Sequence, residues 1–246
     1  MTFSLRDNLS DALRPLAHRA HQKGLEIACH VPAEVPDTVV GDPTRLRQII
    51  VNLVGNAIKF TEHGEVVVQV GVESRGEDHA TLHFEVSDTG IGIPEEKHQR
   101  VFEGVRPGGR LDHARIHAGT GLGLTISARL VGMMHGRIWL ERRYRRGHLV
   151  LLHHARRPST RRRERVRTPA SKDLKHLPVL IVDDNATNRR ILIDMVRTWG
   201  MTAVAVDSGP AALAALRTAV AEGATFGLAL LDHTRCRRWT ASPWPA

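Results

Sequence analysis

Cysteine is scarce: the 246-residue chain has two, Cys29 and Cys236. They lie far apart, so neither a disulfide framework nor a cysteine-based zinc site is expected, and a reducing, cytoplasmic setting fits. No apolar run approaches the roughly 18 residues that a membrane span needs. Met1–Asp7 lacks the apolar stretch of a signal peptide. Hydrophobic residues at 41% and charged residues at 25% are ordinary for a globular protein and exclude a wholly disordered or collagen-like chain. The length fits one or two domains.

Acidic residues are too few to balance the basic ones, and the formal charge is +9. Residues 156–167 hold seven arginines against Glu164, so this stretch alone carries +6. Such a run can bind nucleic acid by releasing counterions. Aromatics make up only 4% of the chain, and none near the run offers a stacking platform. We read it as a solvated linker over 156–176 and expect no nucleic-acid partner.

Around that linker the patterns divide the chain into 1–155 and 177–246. In the first part, Leu25–Val31 reads as a strand. Leu46, Ile49, Ile50, Leu53, Val54 and Ala57 recur at helical steps over 44–60. Residues 65–73 and 80–86 read as a hairpin broken at Gly76-Glu77-Asp78. A helix follows from Gly121 to about Met134, then a strand at Arg137–Leu140. In the second part, strands at 178–182, 202–206 and 226–231 alternate with helices at 188–199 and 210–220, the pattern of a parallel doubly wound sheet.

Three groups of residues carry chemistry. Gln48, Asn52 and Asn56 share one face of the first long helix, where a stripe of amides serves either solvent or a polar ligand; Lys59 and Phe60 follow. Asp88-Thr89-Gly90-Ile91-Gly92-Ile93 closes a strand. Its carboxylate can accept a hydrogen bond from an exocyclic amine, and its glycines let backbone approach a flat ring. Taken alone it could be a mere strand-ending turn. Gly119-Thr120-Gly121-Leu122-Gly123-Leu124 opens a helix, and glycine amides there can cradle an anion, although many helices simply start after glycine.

The order and spacing are more specific than any one box. N-L-V-G-N-A-I-K-F-T, D-T-G-I-G-I, V-F-E and G-T-G-L-G-L in succession resemble the ATP-binding catalytic domain of sensor histidine kinases, the Bergerat fold shared with gyrase-type ATPases, over about residues 3–140. The resemblance implies an α+β two-layer sandwich that binds ATP and Mg²⁺. It implies that Asn56 holds Mg²⁺, Asn52 assists the phosphate and metal cluster, Lys59 meets phosphate, Phe60 packs near adenine, and Asp88 receives its amino group. Gly90, Gly92, Gly119, Thr120, Gly121, Leu122 and Gly123 line the nucleotide, and Asn52 and Lys59 are the catalytic candidates. Related ATPases place a water-activating glutamate one turn before the metal asparagine. Asn52, an amide, cannot act as a general base at pH 7, so such a site holds ATP for transfer rather than rapid hydrolysis.

The chain also departs from the family. None of its 15 histidines is followed by Glu or Asp, so the H-E-x-R-T-P acceptor is absent. His18, His21 and His30 read as surface residues, and Phe3–Leu16 resembles the tail that follows the dimerisation helices. The segment Gly104–Arg115 lacks the family's lid pattern. With suitable synonymous codons, a one-base shift turns it into A-F-A-Q-A-D-G-S-T-T-R, the lid expected. Gly147–His154 and Trp239–Pro245 likewise yield G-T-L-F-F-F-T-T and M-D-G-F-A-L-A. The stretches 104–118, 141–168 and 233–246 thus have the pattern of frameshifted coding sequence.

Val179–Asn185 sets Asp183 and Asp184 at a strand's C-terminal end, where open parallel sheets bind ligands. Paired acids either face solvent or share a cation such as Mg²⁺. Leu228–Asp232 adds a third carboxylate. This second part resembles a response-regulator receiver domain over about 177–232, with Asp183, Asp184 and Asp232 as Mg²⁺ ligands and Asp232 as phosphoacceptor. The Thr or Ser and the Lys of the family's last two strands are absent, which makes this a truncated α/β doubly wound receiver.

Together these point to part of a hybrid histidine kinase. Phosphate passes from ATP to a histidine on a dimerisation domain outside this chain, then to a receiver aspartate and downstream phosphotransfer or response-regulator proteins. The alternative is a non-catalytic nucleotide-binding fragment of a damaged gene. A gyrase-type ATPase fits less well, given Asn52 and the receiver-like second part.

Overall fold

The computed structural model describes residues 1–76, 79–98, 101–102, 122–143, 146–156 and 174–232. The chain divides into two compact units, Met1–Arg163 and Glu164–Ala246.

The first unit runs β1 (Thr2–Ser4), α1 (Leu5–Gln22), β2 (Glu26–His30), β3 (Thr38–Val40), α2 (Pro43–Phe60), β4 (Glu65–Arg75), β5 (His79–Asp88), a 3₁₀ turn at Glu95–Lys97, α3 (Leu122–Met133), β6 (Arg137–Arg143) and β7 (Arg146–Arg156). Its strands form one sheet in the order β1-β3-β7-β5-β4-β2, with β6 also paired to β7. The hairpin predicted from the Gly76 break is β4–β5, antiparallel from Val66↔Asp88 to Arg75↔Ala80 with an irregularity between Val72 and Ser74.

Alternation in the strands and helical spacing in α1 and α2 meet in a single core. Val66, Val68 and Val70 of β4 and Ala80, Leu82, Phe84 and Val86 of β5 pack with Leu5, Leu9, Leu13 and Leu16 of α1 and Leu46, Ile49, Ile50, Leu53 and Val54 of α2. Helices thus form one layer and the sheet the other. The helix α2 begins where Asp42 Oδ1 accepts from Thr44 N at 3.1 Å and Arg45 N at 3.0 Å, with Pro43 in its first turn, where a missing N–H costs nothing. The Lys23 ammonium donates to the carbonyls of Ile58 at 2.7 Å and Lys59 at 3.1 Å at its other end. The core therefore fixes both the rotation and the length of the helix that carries the amide stripe.

Three elements go beyond the sequence expectations: α1, and the short strands β1 and β3. A fourth, β7, forms from the residues as encoded, although Gly147–His154 matched the family only one base out of frame. It pairs with β5 from His79↔Arg156 to Asp88↔Gly147. The stretches 104–118 and 233–246 lie outside the described residues.

The second unit comprises β8 (Pro178–Val182), α4 (Ala186–Thr198), β9 (Thr202–Val206), α5 (Gly209–Ala221) and β10 (Leu228–Leu231). Its parallel sheet has the order β10-β8-β9. Strand alternation sends Val179 and Ile181 to one face, with Val196 and Leu192 of α4. Leu180 and Val182 point to the other, with Ala212 and Leu216 of α5. One helix on each face is the doubly wound arrangement that the alternating pattern predicts.

Candidate functional site

In the first unit, burial of Ile49, Ile50, Leu53 and Val54 turns Asn52 and Asn56 toward α3. Gln48 Nε2 donates to Asn52 Oδ1 at 3.1 Å. Asn52 Nδ2 in turn donates to the Gly123 carbonyl and to Ser127 Oγ, both at 3.5 Å. A β-carbon on Gly123 would stand 3.5 Å from Asn56 Nδ2. Asn52 and Asn56, both half-buried, therefore face the first turns of α3, while Gln48 stays exposed. At the end of α2, Lys59 Nζ lies 5.0 Å from the centre of the half-buried Phe60 ring, a cation–π distance.

A second wall is built where β5 ends. Asp88 Oδ1 accepts from Gly90 N at 2.8 Å and from the Thr61 hydroxyl at 3.4 Å. Thr61, wholly buried, follows directly on α2, so this bond ties the acid to the helix that carries the amides. A β-carbon on Gly90 would fall 2.5 Å from the Phe60 carbonyl oxygen and 2.8 Å from Asp88 Oδ1; only glycine fits. Gly92 has φ +69°, which glycine adopts without strain. The Thr89 hydroxyl donates to the His63 carbonyl at 2.8 Å and accepts from Glu65 N at 3.1 Å, pinning the turn to the start of β4.

Of the predicted nucleotide-site residues, the structure joins Asn52 to Gly123 and Asp88 to Gly90, and sets Asn56 beside Gly123. Lys59 and Phe60 form a separate pair at the end of α2. Gly119, Thr120 and Gly121 lie outside the described residues, and Leu122 opens α3. Sequence reasoning passed over Thr61, Thr89 and Ser127. The first two sit inside or beside quoted motifs. Ser127 stands one helical turn after Gly123, a spacing that could have flagged it.

In the second unit, parallel pairing of Leu231 with Val182 sets Asp232 beside Asp183, and Asp232 N donates to the Val182 carbonyl at 2.8 Å. Carboxylate oxygens of Asp183, Asp184 and Asp232 lie within 4.8 Å of one another. Asp183 is buried, and burial pushes its carboxyl above the ordinary aspartate value; the charges of Asp232 and Asp184 push the same way, while the Asn185 N–H at 2.8 Å opposes them. Oxygen donors so arranged suit a hard divalent cation.

Residues 41–158 match the family described as histidine kinase-, DNA gyrase B- and HSP90-like ATPase. Over 151 residues, 61% of the chain, the sequence is 43% identical to the signal transduction histidine-protein kinase BarA of Escherichia coli (strain K12). Over 240 residues, 94% of the chain, it is 37% identical to the sensor histidine kinase AruS of Pseudomonas aeruginosa. The aligned part spans 16% of BarA and 22% of AruS. Among solved structures, full-length ShkA in complex with AMPPNP aligns at TM-score 0.68 and 28% identity, covering 87% of this chain and 42% of that one. No described helix is long and apolar enough to cross a membrane.

Proposed function

Because residues 41–158 form an ATP-binding catalytic domain of the sensor histidine kinase type, we propose that the chain presents the γ-phosphoryl group of ATP to a histidine carried on a separate dimerisation segment. The observation that carries this reading is the meeting of α2 and α3, where the Gly123 carbonyl accepts from Asn52 and only the missing β-carbon separates Gly123 from van der Waals contact with Asn56. The amide stripe and the glycine-led helix start thereby form one polar wall. Asn56 and Asn52 offer neutral oxygens suited to a hard cation shared with phosphates. Mg²⁺, when bound, neutralises phosphate charge. Lys59 meets phosphate oxygens, Phe60 packs near adenine, and Asp88 receives its amino group. Gly90, Gly92 and Gly123 line the nucleotide, and the sequence motif assigns Gly119, Thr120, Gly121 and Leu122 to the same role. With an amide at position 52, no side chain there draws a proton from water, which favours transfer over hydrolysis.

The second unit extends this to a phosphorelay, with Asp232 as phosphoacceptor beside Asp183 and Asp184, which hold Mg²⁺ with it. The parallel sheet and the three converging carboxylates support that role, as does the length of the alignment with AruS, which runs beyond the first unit. Receiver or phosphotransfer proteins downstream are its partners.

Titration of ATP·Mg²⁺ into the full chain, followed by labelled-phosphate transfer to a separately supplied histidine-bearing dimerisation domain, tests the proposal. Binding and acid-labile, base-stable label on the acceptor are expected, both weakened in Asn56→Ala. ATP binding without transfer to any such acceptor would leave a nucleotide-binding module and sink the kinase reading.

A further inference from the structure

Lys23 closes two helices at once. It caps the C-terminus of α1, where its N–H donates to the Ala20 carbonyl at 3.0 Å. Its ammonium reaches the end of α2 and donates to the carbonyls of Ile58 at 2.7 Å and Lys59 at 3.1 Å. An ammonium only donates and a carbonyl only accepts, so the direction of both bonds is fixed. The carbonyl end of a helix is the negative end of its dipole, and here two such ends meet around one cation. The last turn of α2 is bounded from another side as well. A β-carbon on Gly90 would fall 2.5 Å from the Phe60 carbonyl oxygen, so the D-T-G-I-G-I turn lies directly against it. From this last turn depart Lys59, Phe60 and then Thr61, whose hydroxyl donates to Asp88 at 3.4 Å.

We propose that Lys23 is a positioning residue for the nucleotide: by holding the last turn of α2 against the Gly90 turn, it aims Lys59 at phosphate and Phe60 at adenine. This rests on the ATP reading above. Without the ammonium, the Ile58 and Lys59 carbonyls find no N–H further along the helix to replace it, and the turn frays from its end. Lys59 and Phe60 then sample directions that miss the ligand. The core built on Leu46, Ile49, Ile50, Leu53 and Val54 stays in place. Lys23 thus acts through these two side chains and touches neither nucleotide nor metal.

The test measures ATP affinity of the full chain calorimetrically for the parent, Lys23→Met, Lys23→Arg, the Lys59→Ala/Phe60→Ala variant, which keeps the amides and Asp88, and that variant with Lys23→Met added. Methionine keeps most of the stem and loses the charge and the donors; arginine keeps both. Urea unfolding checks that each variant is folded at the assay temperature, and Lys23→Gln, which keeps a donor, replaces Lys23→Met should the latter unfold. Misplacing a contact worth one hydrogen bond should weaken ATP binding about three- to tenfold in Lys23→Met, with Lys23→Arg close to the parent. Where Lys59 and Phe60 are already alanine, Lys23→Met should change affinity by no more than about twofold. A cap that served stability alone would lower the urea midpoint and leave the affinity of the folded chain untouched, which would overturn the inference. So would an equal loss in both backgrounds, the sign of a Lys23 that meets phosphate itself. A Lys59→Ala/Phe60→Ala variant that binds ATP as the parent does would instead remove these two residues from the site and overturn the reading on which the inference stands.

Discussion

Asp88 shows how a single side chain can be prepared before any ligand arrives. One of its oxygens is engaged by Gly90 N and by Thr61, so the carboxylate plane is fixed at the mouth of β5. Asp88→Asn keeps an oxygen for Gly90 but loses a charge-assisted acceptor. ATP affinity should fall about tenfold or more by calorimetry; an unchanged value would remove Asp88 from the proposed adenine site. Gly90→Ala acts differently. Its new methyl would meet the Phe60 carbonyl at 2.5 Å, so backbone must move, at a cost of ~1–3 kcal/mol in urea unfolding. The motif D-T-G-I-G-I made Asp88 and Gly90 legible, because it joins an acid to glycines at a strand end. Thr61 was not legible, since a threonine after a helix gives no sign that its hydroxyl reaches an acid 27 positions on. Cys29 offers a further check. Burial raises its thiol to about 11, with Arg6 opposing. At pH 8 the thiolate is then about a thousandth of the population, and only the thiolate is an effective nucleophile. In a Cys236→Ser variant, iodoacetamide at pH 8 should leave Cys29 unmodified long after a free thiol has reacted.

Among the elements, α2 has the most to do: it fills the core, carries the amides and ends beside Asp88. Its start depends on Asp42, whose carboxylate accepts from two N–H groups that the helix start leaves unpaired, those of Thr44 and Arg45. Asp42→Ala should cost about 1 kcal/mol of stability in urea unfolding, with ATP affinity falling only as far as the fold does. The helix was legible because its apolar residues recur at three- and four-residue steps without a break. Other elements left weaker traces. The strands β1 and β3 have three residues each, too few for an alternation to register. Pro15 interrupts α1 and removes a helical hydrogen bond; the residues around it hold the helix by packing Leu9, Ala12, Leu13 and Leu16 into the core. The apolar run Leu149–Leu152 is short enough to suit either helix or strand, and pairing with β5 and β6 decides for strand.

Each unit of the whole molecule has its own core. That of the first joins two long helices to the sheet, whereas the second has two small clusters on either side of three strands. Residues 1–163 expressed alone should therefore keep their urea transition. The second unit should unfold first, with Mg²⁺ raising its midpoint and not that of the first in the absence of ATP, since a ligand stabilises the fold that binds it. A single shared transition unmoved by Mg²⁺ would contradict both expectations. The two-part organisation was legible in the change from mixed to alternating patterns across the arginine run, but the alternation could not say that β8 would be central. That position sets a clock. Val179 to Val182 are sealed on both faces and paired on both edges, so their amides can meet solvent only when the unit opens as a whole. In deuterium exchange they should be the last of the second unit to lose protection. Since β8 runs straight into Asp183 and Asp184, that opening event sets an upper limit on the lifetime of the acid cluster.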